Sequence, residues 1–353
     1  MMTGFPTPKV VFSRCLGFEN CRYNGQGVAS EAVEQWRASH RTRNRRFFDC
    51  VTPCPETDIG LGIPRDPIRI VRSGEALRLV QPATGRDVSE EMRGYARDFL
   101  DNLETPSPLP PPQGGGNERE GVILCPVDGF VLKSRSPSCG LLDVKLFKDE
   151  SGQALPRRIA GFFGGAVLER FPAAAVEDEG RLTNFTIREH FLTRVYVSAR
   201  WRELAARPTM AGLVRFQAEN KLLLMGYNQT KMRELGRIVA NPEKRPVAEL
   251  FAAYGAKLPE AFARPPRYTS AINVLMHGLG YFKDRVKAGE KRFFLETLES
   301  YRAGRVPLSV PQSIIRAWVA RFGEEYLASQ TFFSPYPEEL QFISDSGKGR
   351  KTD

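Results

Sequence analysis

Lys133-Ser134-Arg135-Ser136-Pro137-Ser138-Cys139-Gly140 follows directly on the apolar run Gly129-Phe130-Val131-Leu132. Four apolar residues in a row, ended by turn formers, read as a buried strand. Pro137 has no backbone donor, and Gly140 tolerates dihedrals closed to other residues, so the sheet cannot continue and the chain turns tightly with Cys139 at the turn. The same grammar occurs twice more. Val10-Val11-Phe12-Ser13-Arg14 runs into Cys15-Leu16-Gly17, and Phe47-Phe48-Asp49-Cys50-Val51 runs into Thr52-Pro53-Cys54-Pro55-Glu56. Three cysteines therefore fall just past the ends of three strands. In a parallel sheet those ends share one edge, the edge at which open α/β folds bind ligands.

The rest of the first half continues that pattern. Ser30 is placed to cap a helix running to about His40, and Ser89 to cap one of about 15 residues with Glu90 and Glu91 in its first turn. Ile68–Val71 and Ala76–Val80 around Ser73-Gly74 predict a hairpin, Val122–Cys125 a further strand, Ile159–Phe171 a helix and Ala173–Val176 a last short strand. Residues 105–117, rich in proline and then glycine, read as a surface loop inside the domain. Beyond Gly180 the period shifts to 3.6, over 186–206, 210–225, 229–240, 246–262, 269–287, 289–303 and 311–327. The expected architecture is α/β: a mostly parallel, Rossmann-like sheet domain over 1–180, an all-α helical domain over 181–343, and a disordered polar tail over 344–353.

A chain of 353 residues buries a full core without staples. No apolar h-region occurs in Met1–Lys9, and no apolar run approaches a bilayer span, so a soluble cytoplasmic protein without a membrane partner is expected. In that setting six cysteines point to metal or catalytic use rather than to a disulfide framework. Charge is uneven. Residues 1–175 carry 23 Lys/Arg against 21 Asp/Glu, and residues 176–353 carry the other 28 against 20. A basic second half suits a polyanion such as nucleic acid, with solubility as the plainer alternative. Arg45 and Arg46 close a run of four arginines in six residues, either a solvated face or a phosphate contact. Arg194, Arg202, Lys221, Lys231 and Arg233 are the candidate phosphate contacts of the helical half.

Cys15, Cys54 and Cys139 on one edge would give three soft ligands, suited to zinc or to an iron–sulfur cluster with one position left open; buried small residues would look the same in sequence. Cys21 shares the first loop and is a rival ligand. Cys50 is read as core and Cys125 as packing. Glu56, two residues past Cys54, is the candidate acid or base, and Ser136, three before Cys139, a candidate hydrogen-bond donor. His190 and His277 sit in predicted helices and read as structural.

Ser13-x-Cys15-Leu16-Gly17, Cys21-Arg22-Tyr23-Asn24-Gly25, Cys54-Pro55-Glu56, Gly62-Ile63-Pro64-Arg65 and the block from Lys133 to Gly140 together resemble the TudS thiouracil desulfidase family over roughly residues 8–178. Residues of about 186–340 resemble the YbgA family of helical domains. Arg194, Arg202, Asn220-Lys221-Leu222-Leu223-Leu224, Glu234-Leu235-Gly236, Asn273-Val274-Leu275-x-His277, Gly280-Tyr281-Phe282 and Pro335-Tyr336-Pro337 carry that likeness. The fused arrangement is similar to the RudS type, which returns 4-thiouridine in tRNA to uridine. The resemblance implies a 4Fe–4S cluster held by Cys15, Cys54 and Cys139, a catalytic Glu56 and an active-site Ser136. The expectation is a desulfidase acting on thiolated tRNA. Two alternatives stay open: a desulfidase of free thiouracil or thionucleosides, and a metal-stapled RNA-binding protein without catalysis.

Overall fold

The computed structural model describes residues 4–43, 46–104 and 127–342, with the side chains of 38–43 and Glu104 outside the description. The expected strand at 122–125, the 105–117 loop, Arg45, Cys125, the side chain of His40 and the tail over 344–353 lie outside the described residues.

The first half runs β1 (Lys9–Phe12), α1 (Glu31–Arg43), β2 (Asp49–Val51), α2 (Pro55–Asp58), β3 (Arg69–Ser73), β4 (Ala76–Gln81), β5 (Arg86–Asp87), α3 (Ser89–Glu104), β6 (Gly129–Leu132), β7 (Val144–Phe147), β8 (Ala154–Ile159), α4 (Phe162–Arg170) and β9 (Ala175–Asp178). The second half is helical: α5 (Phe185–Ala205), α6 (Met210–Glu219), α7 (Lys221–Tyr227), α8 (Gln229–Ala240), α9 (Val247–Ala261), α10 (Tyr268–Gly280), α11 (Ala288–Arg302), α12 (Ser309–Phe322) and α13 (Glu325–Ser329). No described helix is long and apolar enough to cross a membrane.

Strands β2-β1-β6-β9 form one sheet, parallel throughout. Its strands bury side chains on both faces. Val10, Phe12, Val131 and Ala175 face α1 and α5, while Val11, Phe130 and Leu132 face α3 and α4. This is the expected parallel α/β layer, with β1, β2 and β6 all ending at the cysteine edge. The predicted hairpin is β3–β4, but it belongs to a second sheet, β5-β4-β3-β7-β8, whose core includes Ile70, Leu79, Val144 and Leu146 with Met92 of α3. The helix expected from Ile159 begins only at Phe162, because Ala154–Ile159 pairs antiparallel with β7.

In the second half the helix expected over 210–225 breaks at Asn220. That buried side chain donates to Phe216 O at 2.8 Å and accepts from Thr331 Oγ1 at 2.8 Å. Its hydrogen bonds go to the C-terminal segment as well as to the helix, so the axis turns there. Ser30 precedes α1, but its buried hydroxyl has no hydrogen-bond partner among the described residues and does not act as the side-chain cap the sequence suggested.

α5 joins the two halves. Phe191, Leu192, Val195 and Tyr196 pack on the parallel sheet, while Val197, Trp201 and Ala205 on the same helix enter the helical core. Each such apolar side chain contributes about 1.5–3 kcal/mol relative to exposure. Gly129 permits the contact, since a Cβ there would stand 2.8 Å from both Val195 Cγ2 and Ala175 O. Arg202 bonds Asp128 ahead of β6, and Tyr196 Oη donates to Phe47 O at 3.0 Å. Tyr336 and Leu340 return to the same core, and Arg188 donates to Phe342 O at 2.7 Å. Residues on both sides of 180 therefore share one continuous core.

Candidate active site

The three strand ends are tied to each other by backbone. Ser13 N donates to Val131 O at 3.0 Å, Lys133 N donates to Ser13 Oγ at 2.9 Å, and Arg14 N donates to Pro53 O at 2.9 Å. Cys15, Cys54 and Cys139 are thereby gathered at one edge, all buried and all unpaired thiols. Cys21, fully buried, joins Cys15 and Cys54 in one cluster. Cys50 is exposed on the edge strand β2, which corrects its reading as core: its side chain faces solvent.

Cys54 sits at the N-cap of α2, whose first residue, Pro55, has the fixed φ a helix start favours. The Cys139 turn is built by Ser136, whose hydroxyl accepts from Ser138 N at 3.2 Å and Cys139 N at 3.1 Å. Ahead of it, Glu179 accepts from Lys133 Nζ, Ser134 N and Ser134 Oγ, fixing the exit from β6. Behind it lies the start of α4. A Cβ on Gly164 would stand 2.3 Å from Gly140 O, so only glycine lets the helix approach the turn.

Glu56, in the first turn of α2, points into the same edge. Oε2 accepts from Arg65 Nε at 3.0 Å and Nη2 at 2.6 Å. Oε1 accepts from Ser138 Oγ at 2.9 Å and lies 3.4 Å from Ser136 Oγ. Ser138 is thus the closer serine partner, and Ser136 chiefly organises the turn. The guanidinium of Arg65 is nearly buried, at 4 % exposure, and Nη1 also donates to Cys21 O at 3.0 Å and Gly62 O at 2.9 Å. Sequence reasoning did not single out Arg65, Ser138, Ser13 or Glu179 for the site. The first three stand inside quoted motifs, and only the fold reveals what they touch.

The thiols of Cys21, Cys54 and Cys139 are pushed toward the neutral form by their surroundings. Its contact with Cys15, ahead of burial, pushes the Cys21 thiol up to about 11. The hydrogen bond to Cys21, with burial behind it, raises Cys54, and burial raises Cys139, which Ser13 counteracts. Buried thiols give up protons only where a cation takes their place, so this donor set fits a group that brings positive charge to soft sulfur. Among the described residues no three His, Cys, Asp or Glu side chains are arranged around a single metal ion. A cluster differs in taking each thiolate on a separate iron, so its ligands need not converge on one point. Cys15, Cys54 and Cys139, each from a different strand end, suit that requirement.

The candidate phosphate contacts scatter. Arg202 is spent on Asp128, with Nη2 to Oδ2 at 2.8 Å, and Arg194 donates to Ala173 O and Ala174 O at 3.0 and 2.7 Å. Lys231 is enclosed by Glu234 at 3.0 Å and Glu260 at 2.7 Å. Arg46, Lys221 and Arg233 are exposed. Asp128 lies before β6 at the end of the sheet away from the cysteines, and is bound to Arg202.

Residues 10–108 match the profile of the family described as 2-thiouracil desulfurase, and residues 221–337 that of a protein family of unknown function, DUF1722. The first match includes Cys15, Cys21, Cys54, Glu56 and Arg65 and ends before Cys139. The chain is 26% identical over 133 residues to the uncharacterized protein YbgA of Escherichia coli K12, covering 37% of this chain and 79% of that one. It is 29% identical over 140 residues to the uncharacterized protein YbbK of Bacillus subtilis 168, covering 37% and 72%. Among solved structures, a 4Fe–4S-dependent thiouracil desulfidase, TudS, aligns at 23% identity with a TM-score of 0.32, over 50% of this chain and 93% of that one.

Proposed function

We propose that this chain, which joins a part like the thiouracil desulfurases to a part like YbgA, is an iron–sulfur-dependent desulfidase of thiolated uridine in tRNA. The observation that carries the reading is the single edge holding Cys15, Cys54, Cys139 and Glu56, with the carboxylate fixed between Arg65 and Ser138. Cys15, Cys54 and Cys139 would hold a 4Fe–4S cluster, which supplies one iron without a protein thiolate, a soft Lewis acid for a thiocarbonyl sulfur. Glu56 is the base: Oε1 takes a proton from the water that attacks C4, while Arg65 holds Oε2. Ser138, donating to Oε1, orients the carboxylate. The balance is thiocarbonyl and water to carbonyl and hydrogen sulfide, with no electron transfer.

Exposed Lys221 and Arg233 of the helical half, and Arg46 near α1, are proposed contacts for the polyanionic carrier of the base. The work is divided, with α/β residues doing the chemistry. The match to a family named for 2-thiouracil favours one second reading, a free thiolated base as substrate. Both are tested by incubating cluster-loaded protein anaerobically with thiolated tRNA and, separately, with free 4-thiouracil, then measuring sulfide and analysing nucleosides. Sulfide from tRNA with uridine formed supports the first reading. Sulfide from the free base alone supports the second, and none from either rejects both.

A further inference from the structure

We infer that the row Arg69–Lys145–Arg158 on the second sheet is a phosphate-contact strip that carries the sugar–phosphate backbone of an RNA past the cysteine pocket. The inference rests on reading that pocket as one for a thiolated base within RNA. Lys145 and Arg158 stand directly opposite each other on β7 and β8, and both are exposed. Arg69 precedes Ile70, which is in register with Leu146, and so joins the row from β3 with its guanidinium 5.1 Å from the Phe147 ring centroid. Like charges facing each other across strands repel. The carboxylates near this sheet are engaged elsewhere. Asp87 and Glu150 pair with Arg78, Asp149 accepts from Ser151, and Asp143 accepts from Arg135 N. Glu75 lies in the β3–β4 turn, at the end of β3 away from the pocket. A row of cations on three adjacent strands, spanning about 9.5 Å, with no ion pair to a carboxylate among the described residues, is complementary to a chain of phosphates.

The placement of the row selects the partner. β3 begins just after Arg65, the residue that grips Glu56. β7 begins just after the Cys139 turn, and β8 ends just before Gly161, whose N–H donates to Gly140 O at 2.8 Å. Lys145 and Arg158 therefore stand near the pocket ends of their strands, while the Arg69 guanidinium extends the row toward Phe147 and Gly152 at the β7–β8 turn. A base reaching the pocket must leave its stack, and its backbone must be held at the mouth while it does so. The contacts are to phosphate, so they position the RNA without reading its sequence.

The test uses the full chain and a labelled, unmodified tRNA transcript. The double variant Lys145→Glu with Arg158→Glu is compared with Arg215→Glu with Arg292→Glu, two exposed helical positions that change net charge equally. The strip variant is expected to bind at least about tenfold more weakly. Its slope of log affinity against log salt should fall by about 1.4–1.8, the release of two phosphates' counterions. The helical control should stay within about twofold of the parent on the same scale. Circular dichroism melting checks the fold, and Lys145→Gln with Arg158→Gln replaces the reversal if it does not fold. Equal loss in the control, binding by the strip variant within twofold of the parent, or a parent that binds no tRNA overturns the strip. Sulfide release by the parent is read separately. A strip effect without sulfide leaves the strip standing and rejects the desulfidase reading, while sulfide from free base without tRNA binding rejects the strip and the tRNA reading and leaves the desulfidase chemistry standing.

Discussion

Arg65 donates two hydrogen bonds to Oε2 of Glu56, from Nε at 3.0 Å and from Nη2 at 2.6 Å, leaving Oε1 to Ser138. Both Arg65 donors converge on one oxygen, so the plane of the carboxylate is set by Arg65 on Oε2 together with Ser138 on Oε1. Glu56→Gln should retain iron and colour and lose about 10²–10⁴ in turnover, the usual cost of removing a general base. Arg65→Met should retain iron, lower kcat by about 10²-fold through misplacement of Glu56, and add little when combined with Glu56→Gln. Iron content and kcat on the single and double variants decide it; losses that multiply in the double variant would show that Arg65 acts apart from Glu56.

Cys15→Ala, Cys54→Ala and Cys139→Ala should each purify without stoichiometric iron, because two thiolates do not anchor a cluster built for three. Cys50→Ala should retain iron, since its side chain is exposed on the edge strand. Cys21→Ala should also retain iron despite the burial of that thiol among the others, because Cys15, Cys54 and Cys139 remain. Iron and acid-labile sulfide assays on anaerobic preparations check the set. Loss of iron from Cys21→Ala would move Cys21 into the ligand set.

Asp128 is nearly buried, with a side chain 1 % exposed, and its partner Arg202 is bound through both carboxylate oxygens. Removing one member strands a buried charge, which costs about 3–5 kcal/mol. Arg202→Met should therefore lower the urea midpoint strongly and change tRNA affinity at folding conditions little. A stable variant with weakened tRNA binding would return Arg202 to the RNA surface.

Burial pushes Glu189 up from 4.5 to about 7, against the hydrogen bonds from Tyr336 and Gln341 and the charge of Arg188. The folded state then holds a proton that the unfolded chain releases between those values. Its contribution to stability is complete below about pH 4.5 and disappears as pH rises through 7. His190, lowered from 6.5 to about 3 by burial, has the opposite sign: its contribution is complete above pH 6.5 and declines as pH falls toward 3. The difference in unfolding free energy between the parent and Glu189→Gln should thus change between pH 5 and 8, with the parent losing more as pH rises. A constant difference across that range would remove Glu189 as the cause.

Cutting the chain after Gly180 would uncover the face of the parallel sheet that Phe191, Leu192, Val195 and Tyr196 cover. Residues 1–180 alone should aggregate or fail to melt cooperatively, whereas a fragment keeping α5 loses instead the partners of Trp201 in the helical core. Size exclusion and thermal melting test this. A monomeric, cooperatively folding 1–180 fragment would show that α5 is dispensable to the sheet.

The sequence by itself determined the parallel sheet, the cysteine edge and the succession of helices. These follow from local rules: apolar runs of strand length, the turn chemistry of Pro137 and Gly140, and a 3.6-residue period after Gly180. Cys15, Cys54, Cys139 and Glu56 were legible because strand ends are set locally, and parallel pairing brings such ends to one edge. The likeness of the quoted motifs to known families supplied the cofactor and the reaction proposed for the site, which no spacing could.

Only the tertiary structure decided what each polar side chain touches. Arg65, nine residues beyond Glu56, and Ser138, 82 residues beyond it, become its partners through folding alone. The β7–β8 pair is not marked in the sequence, because Val144–Phe147 is only four residues long and Ala154–Ile159 carries Pro156, Arg157 and Arg158, which leaves little periodic signal. Arg194 and Arg202 look in sequence like any cations on a helix. They differ from Lys221 because α5 is covered by the sheet and the helical core, where an arginine must find a carbonyl or a carboxylate to offset its desolvation.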